Sequence, residues 1–89
     1  MQKVRTLERW MRAAGNHRRI EILDLIDRNP ELSVSEISEQ LKINFKTGSE
    51  HIRRLTIAGF VLKKSQGKSI RHKLTSRGIF ILTFLRTLE

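Results

Sequence analysis

Lys46, Ser49, Glu50 and Arg53 fall at i, i+3, i+4 and i+7, the spacing that aligns side chains along one face of a helix. Arginine and lysine donate to guanine edges and phosphate oxygens, serine suits either, and glutamate accepts from a cytosine amino group. The set therefore has the chemistry to read base edges. Asn44 and Thr47 stand at the start of the same segment, and Arg54 follows Arg53. The plainer reading of such a stripe is a solvated helix face. A second group follows in Lys63, Lys64, Lys68 and Arg71, with Gln66 among them. Positive charge concentrated on a short segment suits phosphates or a minor groove. Lysines also protect strand edges from aggregation, which accounts for some of them.

No comparable set supports catalysis. The acids of residues 20–40 belong to the solvent side of a helix and to a loop, with no nucleophile–base pair and no glycine loop to cradle phosphate. The absence of cysteine removes disulfides, thiolate metal sites and thiol nucleophiles together, and it points to a reducing, intracellular setting. His17, His51 and His72 do not share a helix at ligand spacing. His51 borders the buried side of its helix, where a packing role is favoured over a metal ligand or pH switch. Neither metal nor cofactor is expected.

The net charge of +9 is segregated along the chain. Residues 20–40 hold six acids and one base, Arg28, whereas residues 41–74 hold nine bases and one acid, Glu50. A basic face of this kind suits a polyphosphate partner. No run approaches the roughly 18 apolar residues of a membrane span, so a cytoplasmic protein without membrane association is expected.

Local signals define the elements that must position these groups. Val4, Leu7, Trp10, Met11 and Ala14 have helical spacing over residues 3–14. Asn16 caps a second helix over 17–28, which Asn29-Pro30 ends. Ser33 with Glu36 forms a capping box, and Leu32 with Ile37 a hydrophobic staple, for a short helix over 34–41. After a turn of Lys42-Ile43, Asn44 caps a helix over 44–58 that ends at Gly59. Its buried side would be Gly48, Ile52 and Leu55. Residues 60–64 and 69–74 read as strands around the turn Ser65-Gln66-Gly67-Lys68, with Ile70, His72 and Leu74 on one face of the second. Thr75 caps a last helix to about Leu88. Two helices joined by so short a turn make a helix-turn-helix. A basic hairpin directly after it makes the fold a winged helix-turn-helix, mainly α with a small β-hairpin, in one domain over 1–89.

The last helix is apolar nearly all round, more than one small domain can bury. Leu7, Trp10 and Met11, in the terminal helix over 1–14, and Ile81, Phe84, Leu85 and Leu88, in that over 76–88, are the expected contact between two copies. A membrane-surface helix is the alternative, weakened by the few bases in this segment.

Gly15-Asn16-His17-Arg18-Arg19-Ile20-Glu21-Ile22-Leu23, Glu31-Leu32-Ser33-Val34-Ser35-Glu36-Ile37, Ser49-Glu50-His51-Ile52-Arg53-Arg54-Leu55 and Ala58-Gly59-Phe60-Val61 resemble the arsenic-repressor (ArsR) type of transcriptional regulators. Lys73-Leu74-Thr75-Ser76-Arg77-Gly78 is similar to the same family and to its multiple-antibiotic-resistance (MarR) relatives. The resemblance implies a homodimer that places two recognition helices in successive major grooves of double-stranded DNA, and repression by occlusion. Metal-sensing members carry a Cys-x-Cys pair where this chain has Ser33-Val34-Ser35, and a serine hydroxyl is no ligand for a soft metal. Other members bind zinc through histidines and carboxylates on the last helix, where this chain has only Glu89. Gly48 also departs from the small aliphatic residue usual in mid-helix. The leading reading is a sequence-specific DNA-binding regulator. The alternative is a winged helix used for protein or RNA interaction, or as a non-specific architectural DNA binder, because a fold does not dictate its function.

Overall fold

A computed structural model describes all of residues 1–89. The order is α1 (Val4–Ala14), α2 (His17–Arg28), α3 (Val34–Leu41), α4 (Phe45–Ile57), β1 (Val61–Gln66), β2 (Ser69–Leu74) and α5 (Ser76–Thr87). The helix starts follow from their caps. Asn16 Oδ1 accepts from the backbone N–H groups of Arg18 and Arg19, Asn44 Oδ1 from Thr47, and Thr75 Oγ1 from Gly78. Both bonds of the Ser33–Glu36 capping box form, at 2.9 and 3.2 Å. Each cap satisfies backbone donors that have no partner within the helix.

The core gathers Ile22, Leu23 and Ile26 of α2, Ile37 of α3, Ile52 and Leu55 of α4, Phe60 and Val61 at the start of the hairpin, and Ile81 and Leu82 of α5. Leu32 packs against it from the loop before α3. The antiparallel hairpin runs from Val61 opposite Leu74 to Gln66 opposite Ser69. The first strand is therefore longer than the expected 60–64, and the turn shrinks from four residues to Gly67-Lys68. Gly67 takes φ 63°, the glycine-first geometry that matches the twist of a two-residue hairpin. A bridge between Leu32 and His72 adds a third extended segment beside β2. Ile70 lies on the same face of β2 as His72 and Leu74 but does not share their burial. It is exposed, because its place near the hairpin tip lies beyond the helices.

Two glycines mark where elements come too close for a side chain. A Cβ at Gly78 would lie 2.0 Å from the Phe60 carbonyl oxygen, and one at Gly48 would lie 2.2 Å from Ser38 Oγ. Gly48 therefore brings α4 against α3, which accounts for a glycine inside a helix. The start of α5 is further fastened to the end of α4 by Arg77, whose guanidinium donates to the Ala58 carbonyl at 2.9 Å. No helix is long and apolar enough to cross a membrane.

Candidate nucleic-acid interface

Helix α4 has two unlike sides. Gly48, Ile52 and Leu55 are buried, while Lys46, Thr47, Arg53 and Arg54 are exposed and Ser49 and Glu50 are half-buried. Asn44 stands at the N-terminus with its side-chain oxygen committed to the Thr47 amide at 2.8 Å. Its amide nitrogen is its remaining polar group. Glu50 holds Arg53 through two bonds of 3.0 and 3.1 Å and Arg54 at 3.2 Å. The Arg53 bond leads the causes that lower the Glu50 pKa, and Glu50 in turn raises that of Arg53. These side chains thus form one ion-paired cluster, and Lys46 stays outside it.

Behind α4, Arg19 Nη1 lies 3.3 Å from His51 Nδ1. A guanidinium can only donate, so Nδ1 accepts and the imidazole is neutral with its proton on Nε2. Burial, then the charges of Arg19 and Arg54, push the His51 pKa down. No group of three or more His, Cys, Asp or Glu side chains is placed to hold a metal.

The hairpin carries Lys63, Lys64, Gln66 and Lys68 into solvent. Lys64 and Arg71 are cross-strand partners, and like charges directly opposite repel. Each turns instead to an acid near α3. Lys64 reaches Glu31 at 3.5 Å, and Arg71 donates to Glu36 Oε1 at 2.9 Å and to the Glu31 carbonyl at 3.2 Å. Glu36 therefore caps α3 and ties down the wing with one carboxylate. Its pKa is lowered first by Ser33 and then by Arg71. Lys46, Lys63 and Lys68 have no such ion pair.

On the opposite flank, α5 is apolar on two sides. Gly78, Ile81 and Leu82 are buried and Leu85 packs on the core, whereas Phe80, Phe84 and Leu88 form an exposed i, i+4, i+8 stripe. Ile81 thus lies inside the protomer, and Phe80 takes the exposed place that sequence pattern assigned to Ile81. Met11 is exposed on α1, while Leu7 and Trp10 are half-buried. The Arg77 guanidinium lies 4.0 Å from the centre of the Trp10 ring, within cation–π range. Arg86 of α5 pairs with Asp24 and Asp27 of α2 at 2.6 and 3.0 Å. Sequence reasoning missed Phe45, which opens α4 and is 58% exposed. Its place beside the Asn44 cap was the available signal.

A helix-turn-helix with an exposed polar face, followed by a basic hairpin, defines the winged helix-turn-helix class of DNA-binding domains. The sequence profile of bacterial regulatory proteins of the arsR family matches residues 16–68, and the chain belongs to that family. Its members are transcriptional regulators, not enzymes. HlyU from Vibrio cholerae N16961 is similar in structure, with TM-score 0.85 and 27% identity over 99% of this chain and 97% of that one. The homodimeric DNA-binding domain of Mb0332 from Mycobacterium bovis, a possible ArsR-family regulator, has TM-score 0.85 and 22% identity over 96% and 79%. FabT from Streptococcus pneumoniae, solved in complex with DNA, has TM-score 0.74 and 16% identity over 88% and 61%. No curated protein matches the sequence.

Proposed function

We propose that the chain is a cytoplasmic transcriptional repressor that binds double-stranded DNA sequence-specifically as a homodimer, with no metal in its regulation. Residues 1–89 act as one domain. Its α4 enters the major groove and its hairpin meets the backbone or minor groove. The observation that carries this reading is the exposed polar face of α4 beside a hairpin with unpaired lysines. An interaction module would need neither. Lys46, Thr47 and Ser49 are free to meet base edges, with Arg53 and Arg54 available once Glu50 releases them. Lys63 and Lys68 suit phosphates, with Gln66 between them. Lys64 and Arg71 hold the wing to Glu31 and Glu36 and keep their charge near the same surface.

Dimerisation is supported by the Phe80–Phe84–Leu88 stripe, with Phe80 75% and Leu88 68% exposed. Two-fold closure is the commonest way to bury a self-complementary patch. Leu7, Trp10 and Met11 of α1 and Leu85 of α5 are the further residues assigned by this reading to the contact between copies. Mb0332 is a homodimer and FabT binds DNA, and each behaviour is what these surfaces suit. Selection of bound sequences from random duplex DNA tests the reading. Enrichment of a site with two related half-sites about one helical turn apart is expected for a dimer of this motif. Recovery of random sequence would mark a non-specific architectural binder instead.

A further inference from the structure

Helix α1 and the C-terminal half of α4 border a cleft of about 440 Å³, a size that accepts a small organic molecule. Arg9 and Arg12 of α1, Arg19 of α2, and Arg53 and Arg54 of α4 all line it, and no acidic side chain does. Trp10, Ala13, Ile57 and Ala58 supply its apolar part. Ile57 is 70% exposed, an unusual position for an isoleucine that nothing in the chain covers.

The positive charge here is only partly balanced. Glu50 is shared between Arg53 and Arg54, and Glu8 reaches Arg12 at 3.6 Å. Arg9 and Arg19 have no carboxylate partner. Arg19 instead donates to the carbonyl oxygens of Ala13 and Arg12 at 2.6 and 3.2 Å, which fixes its guanidinium at the end of α1. Burial, and after it the charge of Arg54, lower the Arg19 pKa. Cations held together in a concave site raise the local concentration of anions.

We propose that this cleft binds a small organic anion, a carboxylate or phosphate ester with a flat apolar body, and that its occupation weakens DNA binding. Guanidinium groups take carboxylate and phosphate through paired hydrogen bonds. The indole and Ile57 give the apolar body a surface that a bare phosphate would leave uncovered. Arg53 and Arg54 couple the cleft to α4, because an anion that draws them from Glu50 rearranges charge on the face assigned to DNA. The coupling rests on the DNA-binding reading, whereas the binding site does not.

Trp10 is the only tryptophan, so its fluorescence reports on the cleft in the full chain. Phenyl phosphate should change it saturably, inorganic phosphate should bind about tenfold or more weakly for want of apolar contact, and benzyl alcohol should have no effect. Arg9→Gln and Arg12→Gln should each weaken phenyl phosphate binding and leave the affinity of the free protein for its selected duplex unchanged. In the wild type, phenyl phosphate should lower duplex affinity about tenfold and raise the His51 pKa seen by NMR, as it offsets the charge of Arg19 and Arg54. An unchanged Trp10 signal, with both variants losing DNA affinity, would mean a backbone-phosphate contact and overturn the proposal. A Trp10 response without any change in duplex affinity would overturn the regulatory half. If no duplex is bound at all, the DNA reading fails while the Trp10 titration still decides the site.

Discussion

Gly48 of α4 lies against Ser38 of α3 so closely that a Cβ there would stand 2.2 Å from Ser38 Oγ. Ser38 is buried and its hydroxyl has no hydrogen-bond partner. This close approach sets the distance between the two helices of the helix-turn-helix. Gly48→Ala should cost about 1–3 kcal/mol through overpacking, even though alanine favours a helix by about 1 kcal/mol over glycine. Ser38→Ala removes the obstructing oxygen, which satisfies nothing where it stands. The double variant should recover wild-type stability or exceed it in chemical denaturation. Equal loss in the single and double variants would show that the Ser38 hydroxyl is not the obstacle.

The recognition helix and the wing should fail differently. Lys68→Ala should weaken all duplexes alike and reduce the log–log salt slope by about 0.9, the effect of leaving one phosphate without its cation. Lys46→Ala should cost about 1–3 kcal/mol on the selected site if Lys46 reads a base, and should relax preference at one position in each half-site. Glu50→Gln should release Arg53 and Arg54, raise affinity for every duplex and steepen the salt slope. Binding titrations at several salt concentrations separate these outcomes. Uniform losses from both lysines would leave a non-specific binder.

Phe84→Glu should shift the protein towards monomer, because it sets a charge in the middle of the exposed α5 stripe. Phe80→Glu should do the same. Ile81→Glu should unfold the protomer instead, since Ile81 is 6% exposed within the core. Light scattering coupled to gel filtration distinguishes these fates. A wild-type monomer at micromolar concentration would sink the dimer.

Stability should fall with acidification just below neutrality. His72 is buried, with Nδ1 at 2.9 Å from the Leu32 carbonyl oxygen and Nε2 without a partner. Burial pushes its pKa down, against the opposing effect of the Leu32 bond, and Lys63 adds to the lowering. An unfolded histidine takes its proton near pH 6.5, at about its ordinary pKa. From there down to the lowered folded pKa the unfolded state binds more protons, so stability present above that pH is progressively lost below it. His51 acts in the same direction. Thermal melts should show a plateau above neutrality and a decline below it. His72→Gln keeps a donor for Leu32 and does not titrate, so its decline should be shallower. An identical decline in that variant would exclude His72 as the source.

Caps and helix boundaries were legible because they depend on residues within a few positions of one another. Asn16, Ser33, Asn44 and Thr75 each find their donors two or three residues on. The stripe on α4 was legible for the same reason, since helical spacing alone separates Lys46 and Arg53 from Ile52 and Leu55. Apolar contrast failed on α5, where Phe80 and Ile81 look alike in sequence and only the position of α2 and the hairpin sends one out and the other in. The ties between Arg71 and Glu36 and between Arg86 and Asp24 join residues 35 and 62 apart. Neither spacing nor propensity encodes such distances. They arise when particular faces of helices and strands meet, as do the near-contact at Gly48 and the arginine cleft. The pattern of residues determined which elements form and which faces carry charge; the tertiary structure decided which charges pair, because pairing depends on distances in space that no local rule contains.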